Sequence, residues 1–257
     1  MGNTRNRIRH IDLFSGKGTF IERAKLVFPN YECVAACEID PYAQNLLHRH
    51  VESGIITSDI RDFDAQKFTN IDLLTGGFPC QDISIAKGKN ALGLNGTKSG
   101  LWYEMLRISS VLRPRVIIIE NTPALLRRGL DTILANLAAE RYDAVWTMLS
   151  AAQFGYPHRR KRIFIAAFDT DRIRREEIYI YARTVEKKRQ EEDSYWKNIQ
   201  LFGGLNRPGF WREDYARFLG MDYGYSGRTN AHRLRVIGNS IIPECIDTIL
   251  QSISHVF

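Results

Sequence analysis

From Ile8 to about Phe168 the chain alternates short apolar runs with amphipathic, helix-period stretches, and this alternation restricts its fold severely. The apolar runs predict strands at His10–Phe14, Glu32–Ile39, Ile55–Thr57, Ile71–Thr75, Val116–Ile119, Ala144–Leu149 and Ile163–Phe168. The 3.6-residue patterns between them predict helices over Thr19–Phe28, Pro41–Val51, Leu101–Leu112 and Pro123–Glu140. Strands interleaved with helices pair mainly in parallel and are covered on both faces, so the expected class is α/β. The chain has 257 residues, enough for one sizeable core or one core with a small appendage.

The pattern changes after Asp169. Asp171–Lys197 is dense in charge of both signs, and Ile178-Tyr179-Ile180-Tyr181 within it suits a helix or a strand equally. Residues 201–230 are rich in Gly, Arg and aromatics, as an irregular, contact-making segment would be. A last helix is expected from Ile241 to about Ile253, with Asn239 or Ser240 as its N-cap.

The formal charge of +7 suits a polyanionic partner. No apolar run approaches the roughly 18 residues that span a bilayer, and the first residues are polar, unlike a signal peptide. The four cysteines, Cys33, Cys37, Cys80 and Cys245, show no paired spacing, which points to a reducing compartment and a cytoplasmic protein. Cys33 and Cys37 lie four apart on one predicted strand, so they are expected to share a face without bridging. No metal site is expected.

Several segments carry chemistry. Gly76-Gly77-Phe78-Pro79-Cys80 follows a predicted strand, and a thiol displayed at a strand end is where an α/β enzyme places a nucleophile. Read alone, Cys80 also fits an inert buried thiol. Asp12–Phe20 joins the first strand to the first helix, with Gly16 and Gly18 allowing a tight turn. Glu38 ends the second strand, where it suits ribose hydroxyls; Asp59 ends the third and suits an adenine amino group. Ile21 stands where a dinucleotide fingerprint wants a third small residue, so an adenosyl ligand fits better than NAD. Glu120 follows Val116–Ile119; it reads either as a partly buried acid of raised pKa or as an acid at a helix start before Pro123. In His158-Arg159-Arg160-Lys161-Arg162, alternation puts His158, Arg160 and Arg162 on one face, with Arg159 and Lys161 opposite. Between Gln81 and Gly100, glycines and Lys87, Lys89 and Lys98 suggest a basic lid that closes on a polyanion.

In this order the segments resemble the C5-cytosine DNA methyltransferases. Phe14–Gly18 looks like that family's cofactor loop, Phe78-Pro79-Cys80-Gln81 like its nucleophile motif and Glu120-Asn121 like its Glu-Asn-Val motif. Arg160 and Arg162 match its Gln-x-Arg-x-Arg motif, and Gly238-Asn239-Ser240 its C-terminal cofactor motif. The resemblance covers about residues 9–170 and 227–254. It implies a class I S-adenosylmethionine-dependent, Rossmann-like α/β fold with a mixed, mostly parallel sheet, helices on both faces and a small recognition segment.

It also implies the reaction. Cys80, Glu120, Arg160 and Arg162 would be catalytic, acting on a cytosine flipped out of double-stranded DNA. S-adenosyl-L-methionine would be bound by Phe14, Gly16, Gly18, Glu38, Ile39, Asp59, Ile60, Pro79 and Asn239. Gln81, Ser84, Lys87, Lys89, Arg159, Arg228 and Arg233 would contact DNA. The implied domains are a catalytic and cofactor-binding domain over 1–170, a reduced recognition segment over 171–226, part of which must rejoin the core, and a returning C-terminal segment over 227–257. A monomer is expected, acting separately from any cognate restriction endonuclease.

Thr122 replaces the usual valine, His158 the usual glutamine and Thr19 a frequent glycine. The recognition region is short for the family, and residues 227–234 look like compact members from phages and prophages. Rival readings are a tRNA cytosine-5 methyltransferase, whose Cys-Phe-Thr signature is absent, a catalytically silent nucleic-acid-binding relative, and an NAD-dependent oxidoreductase.

Overall fold

The computed structural model describes residues 7–51, 54–79, 99–154, 156, 160–200 and 241–257. Among them, β1 (Ile8–Leu13), β2 (Tyr31–Cys37), β3 (Ile55–Thr57), β4 (Leu73–Gly76), β5 (Val116–Asn121), β6 (Tyr142–Ser150) and β7 (Lys161–Asp169) form one sheet. Its order is β3-β2-β1-β4-β5-β7-β6, and only β7 runs against its neighbours. The chain winds outward from β1 to β3, then returns to lay β4 and β5 on the other side of β1. The order therefore reverses between β1 and β4, and the crevice beyond the carboxyl ends of those strands is where open α/β sheets take ligands. This is the class I, Rossmann-like arrangement expected from the sequence.

The helices among the described residues are α1 (Thr19–Val27), α2 (Pro41–Leu47), α3 (Trp102–Leu112), α4 (Leu125–Arg128), α5 (Leu130–Ala139), α6 (Arg175–Gln200) and α7 (Pro243–Ile253). Val116-Ile117-Ile118-Ile119 in β5 is buried on both faces, as a continuous apolar run in a parallel sheet should be. Ile117 and Ile119 pack with Met105, Ile108 and Ile133 from α3 and α5. Val116 and Ile118 pack on the opposite face with Phe20 and Ala24 of α1, Tyr181 of α6 and Ile246 and Ile249 of α7. Burying each such side chain contributes about 1.5–3 kcal/mol. The Ile178-Tyr181 stretch is thus helical, and Ile178, Tyr181 and Val185 join the first part of residues 171–226 to the main core.

Three local expectations need correction. The predicted helix over 123–140 breaks at Gly129, whose φ of 153° ends α4 and starts α5. The N-cap of α7 is Ile242, with Pro243 at the first helical position; Asn239 and Ser240 lie outside the described residues. Cys33 and Cys37 pack in different clusters, because the β1–β2 register shifts between His10 and Ile11 and the extra residue, Val34, reverses the alternation. No helix among the described residues is long and apolar enough to cross a membrane.

Candidate active site

The segments singled out in the sequence gather along one edge of the sheet, where β1 to β5 end and β7, being reversed, begins. At the end of β1 the chain turns through left-handed conformations at Phe14 (φ 55°), Gly16 (φ 56°) and Gly18 (φ 85°). Such a conformation costs a non-glycine residue such as Phe14 about 1–3 kcal/mol, a strain found typically at ligand sites. A Cβ on Gly18 would sit 2.8 Å from Leu47 Cδ1, so only glycine lets the loop settle against α2. No atom of the described residues lies within 4 Å of the corresponding position at Gly16, which leaves space among them above the turn.

Glu38 clasps this loop. Its carboxylate accepts from the Gly16 amide at 2.7 Å and from the Asp40 amide at 2.8 Å. Gln44 Nε2 donates to the Glu38 carbonyl at 2.5 Å and to Ser58 Oγ at 2.9 Å, joining the ends of β2 and β3. Ile39 is 67% exposed beside this clasp, an apolar side chain left uncovered at a polar edge. Asp59 caps a short 3-10 turn and is engaged by the Arg61 guanidinium at 2.9 and 2.5 Å. Those bonds hold its carboxyl down at about 2. Ile60 turns its side chain into the core, so only its main chain faces the edge. Open space, an exposed isoleucine, a carboxylate with further acceptor capacity and a backbone edge together fit an adenosyl group.

The second half of the edge is built around Glu120, at the end of β5. Its Oε1 lies 2.8 Å from Arg162 Nε, and Arg160 adds a second cationic influence. Burial nevertheless wins, and the Glu120 carboxyl is raised above its ordinary range. Lys161, between the two arginines, points to solvent, as strand alternation requires.

The chain leaving β4 passes directly over this carboxylate. A Cβ added at Gly77 would come 2.9 Å from Glu120 Oε2, so glycine is what permits the approach. The next residue is fastened twice. Phe78 is buried against Trp102, with ring centroids 5.9 Å apart, and its carbonyl accepts from Asn121 Nδ2 at 3.1 Å. Asn121 Oδ1 in turn accepts from the Thr122 amide at 2.8 Å. Pro79 follows, half-buried.

Phe14, Gly16, Gly18, Glu38, Ile39, Asp59, Ile60, Pro79, Glu120, Arg160 and Arg162 thus lie on one edge, with Glu120, Arg160 and Arg162 brought together. Cys80, Gln81, Ser84, Lys87, Lys89, His158, Arg159, Arg228, Arg233 and Asn239 lie outside the described residues. Gly77, read from sequence only as part of a sharp turn, and Asn121 are not among the site residues that the sequence points to. The only signals for them were a doubled glycine before the Phe-Pro and an amide directly after the acid.

The sequence pattern of the family described as C-5 cytosine-specific DNA methylase matches residues 8–203. A type II methyltransferase of Neisseria gonorrhoeae, M.NgoBV, is 34% identical over 175 residues, covering 62% of this chain and 41% of the relative. M.Sau3AI, a type II methyltransferase of Staphylococcus aureus, is 28% identical over 230 residues, covering 82% and 52% respectively. The chain therefore spans about half the length of such relatives or less. Among solved structures, the S. pombe Dnmt2 methyltransferase superposes with a TM-score of 0.53 at 23% identity, over 63% of this chain and 51% of that one, a likeness of fold.

Proposed function

The chain belongs to the C-5 cytosine-specific DNA methylase family, and from that premise we propose that it methylates C5 of a cytosine flipped out of double-stranded DNA. The observation that carries this reading is the half-buried Glu120–Arg162 pair lying under the Gly77-Phe78-Pro79 turn. An acid whose affinity for a proton is raised by burial is suited to share a proton with a ring nitrogen, and the residue that follows this turn is a cysteine.

In this mechanism Glu120 bonds N3 and the amino group of the base, and Arg162, supported by Arg160, binds its O2. Holding N3 protonated makes C6 electrophilic, and the Cys80 thiolate adds there, placing electron density on C5. S-adenosylmethionine, when bound, supplies the methyl group that C5 takes up. Loss of the C5 proton to a base then expels the Cys80 thiolate and restores the ring as 5-methylcytosine. Glu38 would hold the ribose hydroxyls, Ile39 would cover the adenine, and Asp59, the Ile60 main chain and Asn239 would complete the pocket. Lys87, Lys89, Arg159, Arg228 and Arg233 would neutralise backbone phosphates, and Gln81 and Ser84 would fill the space vacated by the flipped base. The overall charge of +7 agrees with that role.

The test is transfer of tritiated methyl from S-adenosylmethionine to duplex DNA or tRNA by the full chain. Label on DNA, lost in Cys80→Ala and Glu120→Gln, is the expected result. Label on tRNA alone would replace the substrate, and label surviving Cys80→Ala would overturn the mechanism.

A further inference from the structure

We propose that Tyr31, His10, Thr75 and Asp12 form a proton-coupled relay beneath the cofactor loop, with His10 a positioning residue, so that binding of a cationic cofactor expels a proton from Asp12. The inference rests on the reading that this edge takes S-adenosylmethionine.

The four side chains form a continuous hydrogen-bonded path across β2, β1 and β4. Tyr31 Oη lies 2.6 Å from His10 Nδ1, and His10 Nε2 lies 2.7 Å from Thr75 Oγ1. The Thr75 hydroxyl donates to Asp12 Oδ1. With Asp12 ionised, that last donation fixes the direction of the others. Thr75 must accept from His10 Nε2–H, so His10 Nδ1 accepts from Tyr31. Every proton in the chain therefore points toward Asp12. His10 and Asp12 are completely enclosed or nearly so, and burial pushes the imidazole down to about 3, which keeps it neutral.

Asp12 Oδ2 is buried and has no hydrogen-bond partner among the described residues. It belongs to the last buried acid before the left-handed turn at Phe14, and Ser15 Oγ donates to the Asp12 main-chain carbonyl at 2.8 Å. An ionised carboxylate with an orphaned oxygen in this position is relieved in two ways: the group takes up a proton and becomes neutral, or the oxygen faces a positive ligand charge. Burial raises the Asp12 carboxyl to about 7; the hydroxyls of Thr75 and Ser15 pull it back, and Glu38 pushes it up. Cys33 and Cys37 of β2 are held as thiols by burial, with Asp12 and other carboxylates adding to the effect, and α1 presents apolar Phe20 and Ala24 on this face.

Protonation can also reverse the whole path. With a proton on Asp12, the carboxyl donates to Thr75, Thr75 to His10 Nε2, and His10 Nδ1–H to Tyr31. The Tyr31 hydroxyl then turns to the Cys33 sulfur, with which it already interacts. Both orders satisfy the internal donors, so the relay has two hydrogen-bonded arrangements. A positive ligand charge over the loop selects the one with Asp12 ionised.

The experiment is isothermal titration of the full chain with S-adenosylmethionine, in two buffers of different ionisation enthalpy, from pH 6 to 8.5. With Asp12 half-protonated at about 7, roughly three-quarters of a proton should leave per cofactor at pH 6.5. Affinity should rise several-fold to about tenfold per pH unit below 7 and level off above 8. Asp12→Asn should abolish the release. Thr75→Val should move its midpoint upward, His10→Leu should do so by less, and Thr75→Ser should restore it. Binding heats that are identical in the two buffers would overturn the proposal while leaving the cofactor reading intact, and need no variant. Release unchanged in Asp12→Asn would do the same. Absence of any binding would overturn the cofactor reading and this proposal with it.

Discussion

Replacing Gly77 with alanine tests the active-site geometry without replacing a titratable group. The new Cβ would stand 2.9 Å from Glu120 Oε2, and ordinary contact begins at 3.4 Å, so about half an ångström must be found. The Glu120 main-chain oxygen, at 3.6 Å from the same point, leaves no room for the turn to slide toward β5. Glu120 cannot swing freely either, since Arg162 holds its other oxygen at 2.8 Å and Asn121 anchors Phe78 behind it. Accommodating one extra methyl in such a place costs about 1–3 kcal/mol. For a chain of this size that lowers the melting temperature by roughly 2–4 °C per kcal/mol. The catalytic loss should be larger in proportion. A displacement of 1 Å can cost about a hundredfold in rate, so half of that predicts roughly a tenfold fall in single-turnover methyl transfer. Cofactor affinity should not change. Gly76→Ala is the control, because its Cβ would meet the Leu13 carbonyl and Met105 rather than Glu120. A Gly77→Ala enzyme within twofold of wild type, or one no slower than Gly76→Ala, would refute the reasoning.

Asn121→Ala removes the donor to the buried Phe78 carbonyl and should cost about 1–3 kcal/mol in urea unfolding, with slower alkylation or transfer at Cys80. Tyr181→Phe should be neutral or stabilising by up to about 1 kcal/mol, because the Tyr181 hydroxyl is buried without a partner among the described residues; a loss above 2 kcal/mol would contradict the packing. The Asp12 carboxyl, raised from 3.8 to about 7, keeps its proton in the fold while the unfolded chain releases it. The native state therefore holds more protons between about pH 4 and 7, and stability should fall as pH rises through that window. Asp12→Asn should flatten the profile in urea titrations across pH 4–8, and a wild-type stability that instead rose across the window relative to Asp12→Asn would contradict the assignment.

Much of the sheet could be read from the chain because burial on both faces leaves an unmistakable trace. Val116–Ile119 is such a run, and the next residue, Glu120, then had to fall at the strand end. Arg160 and Arg162 followed from strand alternation next to Ile163. The bulge at Val34 could not be read, since a single inserted residue changes the face of Cys33 without changing composition. The helix break at Gly129 did leave a signal, two arginines and then glycine, but the apolar period running through residues 123–140 masked it. The relay from Tyr31 to Asp12 was illegible for a different reason. Its members lie 21, 65 and 63 residues apart along their successive bonds, and only the register of three parallel strands brings them into line. Asn121 was visible as a letter in a motif, yet its task depends on where the Phe78 carbonyl turns.

The central claim is that Cys80 attacks the base that Glu120 and Arg162 hold. Its most direct test is a duplex containing 5-fluorocytosine at a methylated position, incubated with the full chain and S-adenosylmethionine and then denatured. Because fluorine at C5 cannot leave as a proton does, the thiolate adduct should persist. A denaturation-resistant protein–DNA species should form, with a peptide map that places the base on Cys80, and it should be absent from Cys80→Ala. An adduct mapping to another residue, or methyl transfer to unmodified DNA by Cys80→Ala, would contradict it.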